Sequence, residues 1–343
     1  MGDNYTLEVN NLFKHYTQRI KGNNRFNTVK KTVKAVDGIS FKLEAGEVMG
    51  VIGESGCGKS TLAKLLTKLE YPTQGEILFN GESSDEMIKK DRLKYKRTIQ
   101  MVFQNPFDTF DPRNSIEKII VETLKMHNIG KTHDDRVSAA INAMEKIGLS
   151  PAADYLHRFP HELSGGQLQR ISILRTMLLK PKFLIADEPV SMLDVSVRAD
   201  IIKMLQDLVR NSDTSLIFIS HDINTTRYIS DKIIVMYLGR IVESGTTDYV
   251  LHNPVHPYTK TLISNCASIN MNERTDVIKI EGEPPTPIDN GPGCYFAPRC
   301  YMKKDICFKE YPEQKLIEEN HFASCHFINN CKQKTIKFSN ILN

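Results

Sequence analysis

The chain has 343 residues, of which 40% are hydrophobic and 25% charged; that length allows about two domains, and the balance is globular rather than disordered. No apolar run approaches the roughly 20 residues that span a bilayer, and the opening MGDNYTLEVN lacks the basic-then-apolar profile of a secretory signal, so any membrane role is expected to be peripheral. The net charge of +4 is small for this size. Residues 14 to 34 carry Lys and Arg without one acid and read as a solvated basic loop, so no nucleic-acid partner is expected.

In chain order, the first clear pattern is an alternation of Ile39, Phe41 and Leu43 with Ser40, Lys42 and Glu44, closed by Ala45-Gly46, which predicts a hairpin leading into the next strand. That strand, Val48 to Ile52, is nearly all apolar, as a parallel strand covered on both faces should be. It delivers Gly53-Glu54-Ser55-Gly56-Cys57-Gly58-Lys59-Ser60, a match to G-x-x-x-x-G-K-[ST], followed by a helical run from Thr61 to Leu69. Glycines let backbone N–H groups turn inward around phosphate oxygens, and the helix N-terminus adds partial positive charge. Lys59 would reach the β- and γ-phosphates and Ser60 would bind Mg²⁺. A glycine-rich turn that binds nothing is the bland alternative, disfavoured by the flanking strand and helix; Cys57 reads as a small filler rather than a nucleophile.

Residues 115 to 180 show helical periodicity, with Leu168, Ile171, Leu174 and Leu178 on one face after Gly165-Gly166. Two further buried runs end on polar residues: 183 to 186 before Asp187-Glu188, and 216 to 219 before Ser220-His221. In open α/β sheets ligands sit beyond the carboxyl ends of the strands, so residues 53 to 61, 187, 188 and 221 are expected to converge. A buried strand ending in two acids suits one carboxylate in a Mg²⁺ shell and one facing an attacking water. After Gly245 the composition shifts to HNPVHPY and GEPPTPIDNGPG, which predicts a smaller C-terminal module. No internal repeat duplicates the first part.

Gln104 in MVFQNPFDTFDPR, the pentapeptide Leu163-Ser164-Gly165-Gly166-Gln167, and ADEPVSMLD followed by His221 together resemble the ABC transporter ATPases. The resemblance implies an α/β P-loop NTPase with an antiparallel β subdomain, an inserted helical subdomain at about 105–180 and a small C-terminal module. It divides the chain at 1–245 and 246–343. It implies ATP and Mg²⁺, with Glu188, His221, Gln104 and Lys59 as catalytic groups and Ser60, Gln104 and Asp187 around Mg²⁺. Nucleotide would be bound by Gly53 through Thr61, by Tyr16 (or another aromatic such as Phe26) stacking on adenine, and, from the opposite subunit, by Ser164, Gly165, Gly166, Gln167 and Asp194. The segments PHELSGGQLQRISI, NPVHPYTKTLI, GCYFAPRC and HFASCHF are similar to the oligopeptide, dipeptide and nickel importers, especially their F-type subunit. Met192, where the family often has alanine, and ILRTMLLKP depart from the pattern without touching phosphate chemistry.

Expected partners are therefore a D-type ATPase in a heterodimer, two permease subunits and, through the complex, an extracellular binding protein, at the cytoplasmic face of the membrane. A nickel importer and a soluble non-transport ABC ATPase are the alternatives.

Of seven cysteines, Cys294, Cys300, Cys307, Cys325 and Cys331 fall after residue 290. No pair has C-x-x-C spacing, and a reducing cytosol disfavours disulfides. Free thiols are the bland reading; a four-thiolate centre at Cys294, Cys300, Cys307 and Cys325 would cross-link a module that buries little apolar surface. The resemblance points to a [4Fe–4S] cluster, with zinc as the competing occupant.

Overall fold

The computed structural model describes residues 6–21, 28–267 and 290–328, with residues 278, 280, 282, 283, 285, 286 and 288 between them; Phe26 and Cys331 lie outside these. The strands are β1 Leu7–Lys21, β2 Thr28–Leu43, β3 Val48–Ile52, β4 Gln74–Phe79, β5 Glu82–Ser83, β6 Ile99–Val102, β7 Phe183–Asp187, β8 Ser215–Ile219, β9 Lys232–Tyr237, β10 Arg240–Thr246, β11 Lys315–Glu318 and β12 His321–Ala323. The helices are α1 Lys59–Leu66, α2 Ser84–Lys90, α3 Arg92–Thr98, α4 Ile116–Met126, α5 His133–Lys146, α6 Ala152–Leu156, α7 Gly165–Met177, α8 Val195–Arg210, α9 Ile223–Ile229, α10 Thr247–His252, α11 Pro257–Ala267 and α12 Ile306–Lys309. They form two compact units, one of Met1–Thr6, Leu43–Glu47 and Phe79–Ile219, the other of Leu7–Lys42, Val48–Leu78 and Ser220–Asn343.

In the first unit β7 lies between β6 and β8, parallel to both, with Phe183 opposite Ile99 on one side and Ser215 on the other. That central position explains why every residue of Phe183–Asp187 is buried. The expected helical insertion is present. Ile116, Ile120 and Leu124 of α4 meet Ala140 and Met144 of α5 and Leu168, Ile171 and Leu174 of α7 in one apolar cluster, a spacing of four in α4 and α5 and of three in α7 placing each set on one face. These three helices start at side-chain caps: Ser115 for α4, and capping boxes of Thr132 with Asp135 for α5 and Ser164 with Gln167 for α7.

In the second unit β3 pairs in parallel with β9, and β10 continues the sheet antiparallel through β12 to β11. All of Val48–Ile52 is buried. A Cβ on Gly50 would come within 2.3 Å of Thr226 Cγ2, so this glycine lets α9 approach the strand backbone. The segment after residue 246 shares a core with these strands: Tyr258, Tyr295 and Phe296 pack with Ile52, Val235 and Tyr237.

Three local expectations need correction. The alternating segment belongs to β2, which lies beside β1, not in a hairpin with β3; alternation specifies a half-covered strand but not its partner. The basic stretch is no loop in its described part, since β1 runs through Lys21 and β2 starts at Thr28. The first helix begins at Lys59 and stops before Leu69, because Lys68 turns left-handed (φ 54°) and Leu69 N–H closes back on Lys64 O at 2.9 Å.

Candidate functional site

The glycine-rich turn after β3 requires its glycines by conformation and by space. Gly53, Gly56 and Gly58 have φ of 154°, 78° and 105°, which side chains other than hydrogen strain to adopt. A Cβ on Gly58 would stand 2.1 Å from Ala35 O, and one on Gly53 2.3 Å from Met236 O. Gly58 is also the N-cap of α1 and offers no side-chain cap. Lys59 is only 5% exposed, and its ammonium donates to Gly53 O at 2.7 Å and Glu54 O at 3.0 Å. Ser55, Gly56 and Ser60 are exposed and Thr61 half-buried, so the turn is open to solvent while the Lys59 ammonium is held. Cys57 is buried and its thiol is pushed up by that burial, which agrees with a filler role and opposes thiolate chemistry.

Tyr16 of β1 donates its hydroxyl to Glu70 and carries the Lys14 ammonium 5.0 Å from its ring centroid. Burial, then Glu70, pushes the phenol up to about 12. His221 is exposed, just before Asp222, which caps α9.

In the first unit the end of β7 presents Asp187, 7% exposed, and Glu188. Glu188 adopts φ 47°, a left-handed turn that costs a non-glycine residue energy, and its N–H donates to Ile219 O at 2.9 Å. Gln104 Nε2 donates to Glu188 Oε2 at 3.1 Å. The register explains the meeting: Val102 is opposite Ala186, so Gln104 and Glu188 each stand two residues past the paired ends.

At α7 the Ser164 hydroxyl accepts from Gln167 N–H at 3.3 Å, and Gln167 Oε1 accepts from Ser164 N–H at 3.0 Å. A Cβ on Gly166 would lie 2.6 Å from Val197 Cγ1, and one on Gly165 3.5 Å from Leu193 Cδ2. Asp194 is the N-cap of α8 without a side-chain cap bond, and Met192 and Val195 beside it are exposed. Arg198 Nε donates to Leu193 O at 2.7 Å.

Cys294, Cys300, Cys307 and Cys325, separated by up to 31 positions in sequence, line one cavity of about 20 Å³ together with His256. Burial pushes the Cys294 thiol up to about 12 and Cys300 to about 11, their cysteine neighbours adding to it. Among the described residues no three His, Cys, Asp or Glu side chains converge so as to hold a single metal ion. Four thiols are the right donor set for an iron–sulfur cubane, but a cavity of about 20 Å³ has room for little more than a water molecule. As packed, these residues do not fit the cluster. Sequence reasoning also missed Tyr258 and Arg299, both of which contact Glu54; HNPVHPY and GCYFAPRC had shown only turn residues and cysteines.

Residues 36–191 match the family described as ABC transporter, and residues 242–307 match the oligopeptide/dipeptide transporter C-terminal region. The dipeptide transport ATP-binding protein DppF of Escherichia coli K12 is 43% identical over 312 residues, 90% of each chain. The oligopeptide transport ATP-binding protein YkfD of Bacillus subtilis, a putative assignment by its own name, is 39% identical over 307 residues, 89% of this chain and 93% of that one. Among solved structures, cbiO1 of Clostridium perfringens, part of the ABC transporter complex cbiONQ, superposes with a TM-score of 0.60 at 25% identity over 78% of this chain and 96% of its own.

Proposed function

The chain belongs to the ATP-binding subunits of the oligopeptide/dipeptide ABC transporters, and on that premise we propose that it couples ATP hydrolysis to uptake of oligopeptides or dipeptides across the cytoplasmic membrane. The observation that carries the reading is the turn Gly53–Ser60, whose left-handed glycines and held Lys59 form a phosphate cradle at the start of α1. No helix among the described residues is long and apolar enough to cross a membrane, which supports peripheral attachment to permeases. No finding favours a nickel importer or a soluble ATPase over this reading. Residues 1–245 act as the nucleotide-binding domain and 246–343 as a transporter-type extension.

In the proposed mechanism backbone N–H groups of the 53–61 turn other than those of Glu54 and Cys57, with the Lys59 ammonium, bind and orient the phosphates, and Tyr16 packs on adenine. Hard oxygen donors at Ser60, Asp187 and Gln104 suit Mg²⁺, which when bound offsets phosphate charge. Glu188 polarises the attacking water, with Gln104 holding its carboxylate oxygen, and His221 contacts the γ-phosphate. Ser164, Gly165, Gly166, Gln167 and Asp194 act on the nucleotide of a partnering D-type ATPase, and closure excludes solvent. Two permeases and an extracellular binding protein complete the importer. The test is reconstitution with those subunits: MgATP hydrolysis stimulated several-fold by peptide-loaded binding protein supports the proposal, hydrolysis indifferent to peptide overturns it, and full transport without a second ATPase replaces the D-type pairing with a homodimer.

The four cysteines lining one cavity would take a [4Fe–4S] centre only in a wider arrangement than this one, so the packing favours free thiols. Protein purified without oxygen should then be colourless and lack iron; brown protein with matching iron and sulfide would require the wider arrangement.

A further inference from the structure

We infer that Arg299 and Tyr258 are positioning residues of the P-loop, through which the C-terminal module sets how tightly the loop holds nucleotide; this rests on the ATP-binding reading above. Arg299 grips the Glu54 carboxylate with both ends of its fork, Nη1 to Oε2 at 2.7 Å and Nη2 to Oε1 at 3.1 Å. Tyr258 holds the same residue by its backbone, accepting from Glu54 N–H at 2.8 Å. The Glu54 carbonyl in turn accepts from Lys59 Nζ at 3.0 Å and from Cys57 N–H at 3.3 Å. One residue of the loop is thus fixed at its N–H, its side chain and its carbonyl, and the last of these contacts is Lys59. Preorganised donors bind more tightly because less freedom is lost on binding.

The clamp is rigid on its own side. Tyr258 is 0% exposed and packs against Tyr237 and Phe296. The Arg299 side chain is 8% exposed, and its guanidinium also donates to Gly282 O at 3.0 Å and Tyr237 Oη at 3.3 Å. Its Nε is buried with no acceptor among the described residues, a cost that stability alone would not select. The turn that carries it is strung between cysteines: Ala297 N–H donates to Cys294 O at 3.0 Å, Cys300 N–H to Ala297 O at 3.2 Å, and Cys294 N–H to Cys307 O at 2.7 Å. A change in how those cysteines are held therefore moves Arg299, and with it Glu54.

The test uses the full chain and two readouts. Amide exchange over residues 53–58 without nucleotide should accelerate in Arg299→Gln and in Tyr258→Phe, which keeps the buried ring; unchanged exchange in both overturns the clamp. MgATP affinity by calorimetry should weaken about tenfold in Arg299→Gln, about 1.4 kcal/mol, recover in part in Arg299→Lys, and weaken no further in the Arg299→Gln/Glu54→Gln double variant. Additive losses in that cycle, or an undiminished affinity in Arg299→Gln, overturn the proposal. Wild-type protein that bound no MgATP would overturn the ATP reading instead, and amide exchange would still decide the clamp.

Discussion

The glycine-rich turn and the cysteine segment belong to the same unit, yet they are determined in opposite ways. At residues 53–58 the backbone decides: left-handed φ values and neighbours within 2.1–2.3 Å of an added Cβ at Gly53 and Gly58 exclude other side chains. At residues 294–325 the side chains decide, four thiols facing one small cavity from turns and short elements that are individually unremarkable. Constraint on backbone leaves a local sequence pattern; constraint by mutual burial leaves only residue types at irregular spacing. The first region should tolerate almost nothing, and the second should yield by degrees.

The largest effect expected lies outside both, at the strand-end carboxylate. Glu188→Gln in the assembled complex should slow ATP turnover by about 10² to 10⁴ while ATP stays bound, and wild-type turnover would remove Glu188 from the catalytic role. Gly58→Ala should cost about 2–4 kcal/mol of unfolding free energy, from left-handed strain plus overlap with Ala35 O; a melting temperature unchanged from wild type would break the contrast from the backbone side. Cys300→Ser and Cys307→Ser should each cost only about 1–2 kcal/mol in metal-free protein, the burden of a buried hydroxyl, and larger losses would show that the thiols resemble the glycines after all.

The smallest effect is a pH slope. Asp37 is 2% exposed and accepts from Tyr295 Oη at 2.6 Å and Arg240 Nε at 2.9 Å. Burial pushes its carboxyl up, but Tyr295, Arg240 and His15 outweigh this and hold it below the ordinary value of 3.8. A depressed native value stabilises the fold above the ordinary carboxylate range and ceases to do so as pH falls through the native value. Acid unfolding of wild type should therefore be steeper below about pH 4 than that of Asp37→Asn, and parallel curves would deny the carboxylate its part.

Periodicity was enough for β3, β7 and β8, because a strand covered on both faces has no polar alternative, and the turn after β3 was legible for the reason just given. The partner of β2 was not, since alternation marks a face and not a neighbour. Nor were β11 and β12: β12 pairs with β10 across 78 positions, Ser244 lying opposite Phe322, and β11 pairs in turn with β12. Gln104 and Glu188 could be named separately, but their hydrogen bond needed the β6–β7 register. Arg299 and Tyr258 were hidden for the same reason as the cysteine cavity, their contact with Glu54 being 245 and 204 positions away in sequence.

Val197 occupies the space where Gly166 would carry a Cβ, and Arg198, its neighbour, ties the carbonyls of Leu193 and Ser191 to the start of α8. The Ser164–Gly166 turn and the Asp194 loop are consequently packed directly against each other, with no side chain between Gly166 and Val197. They form a single plate rather than two fingers. A surface that meets this edge of the chain meets both at a fixed separation, so a match at the Ser164–Gly166 turn dictates the angle at Asp194, and a mismatch at either rejects the whole edge.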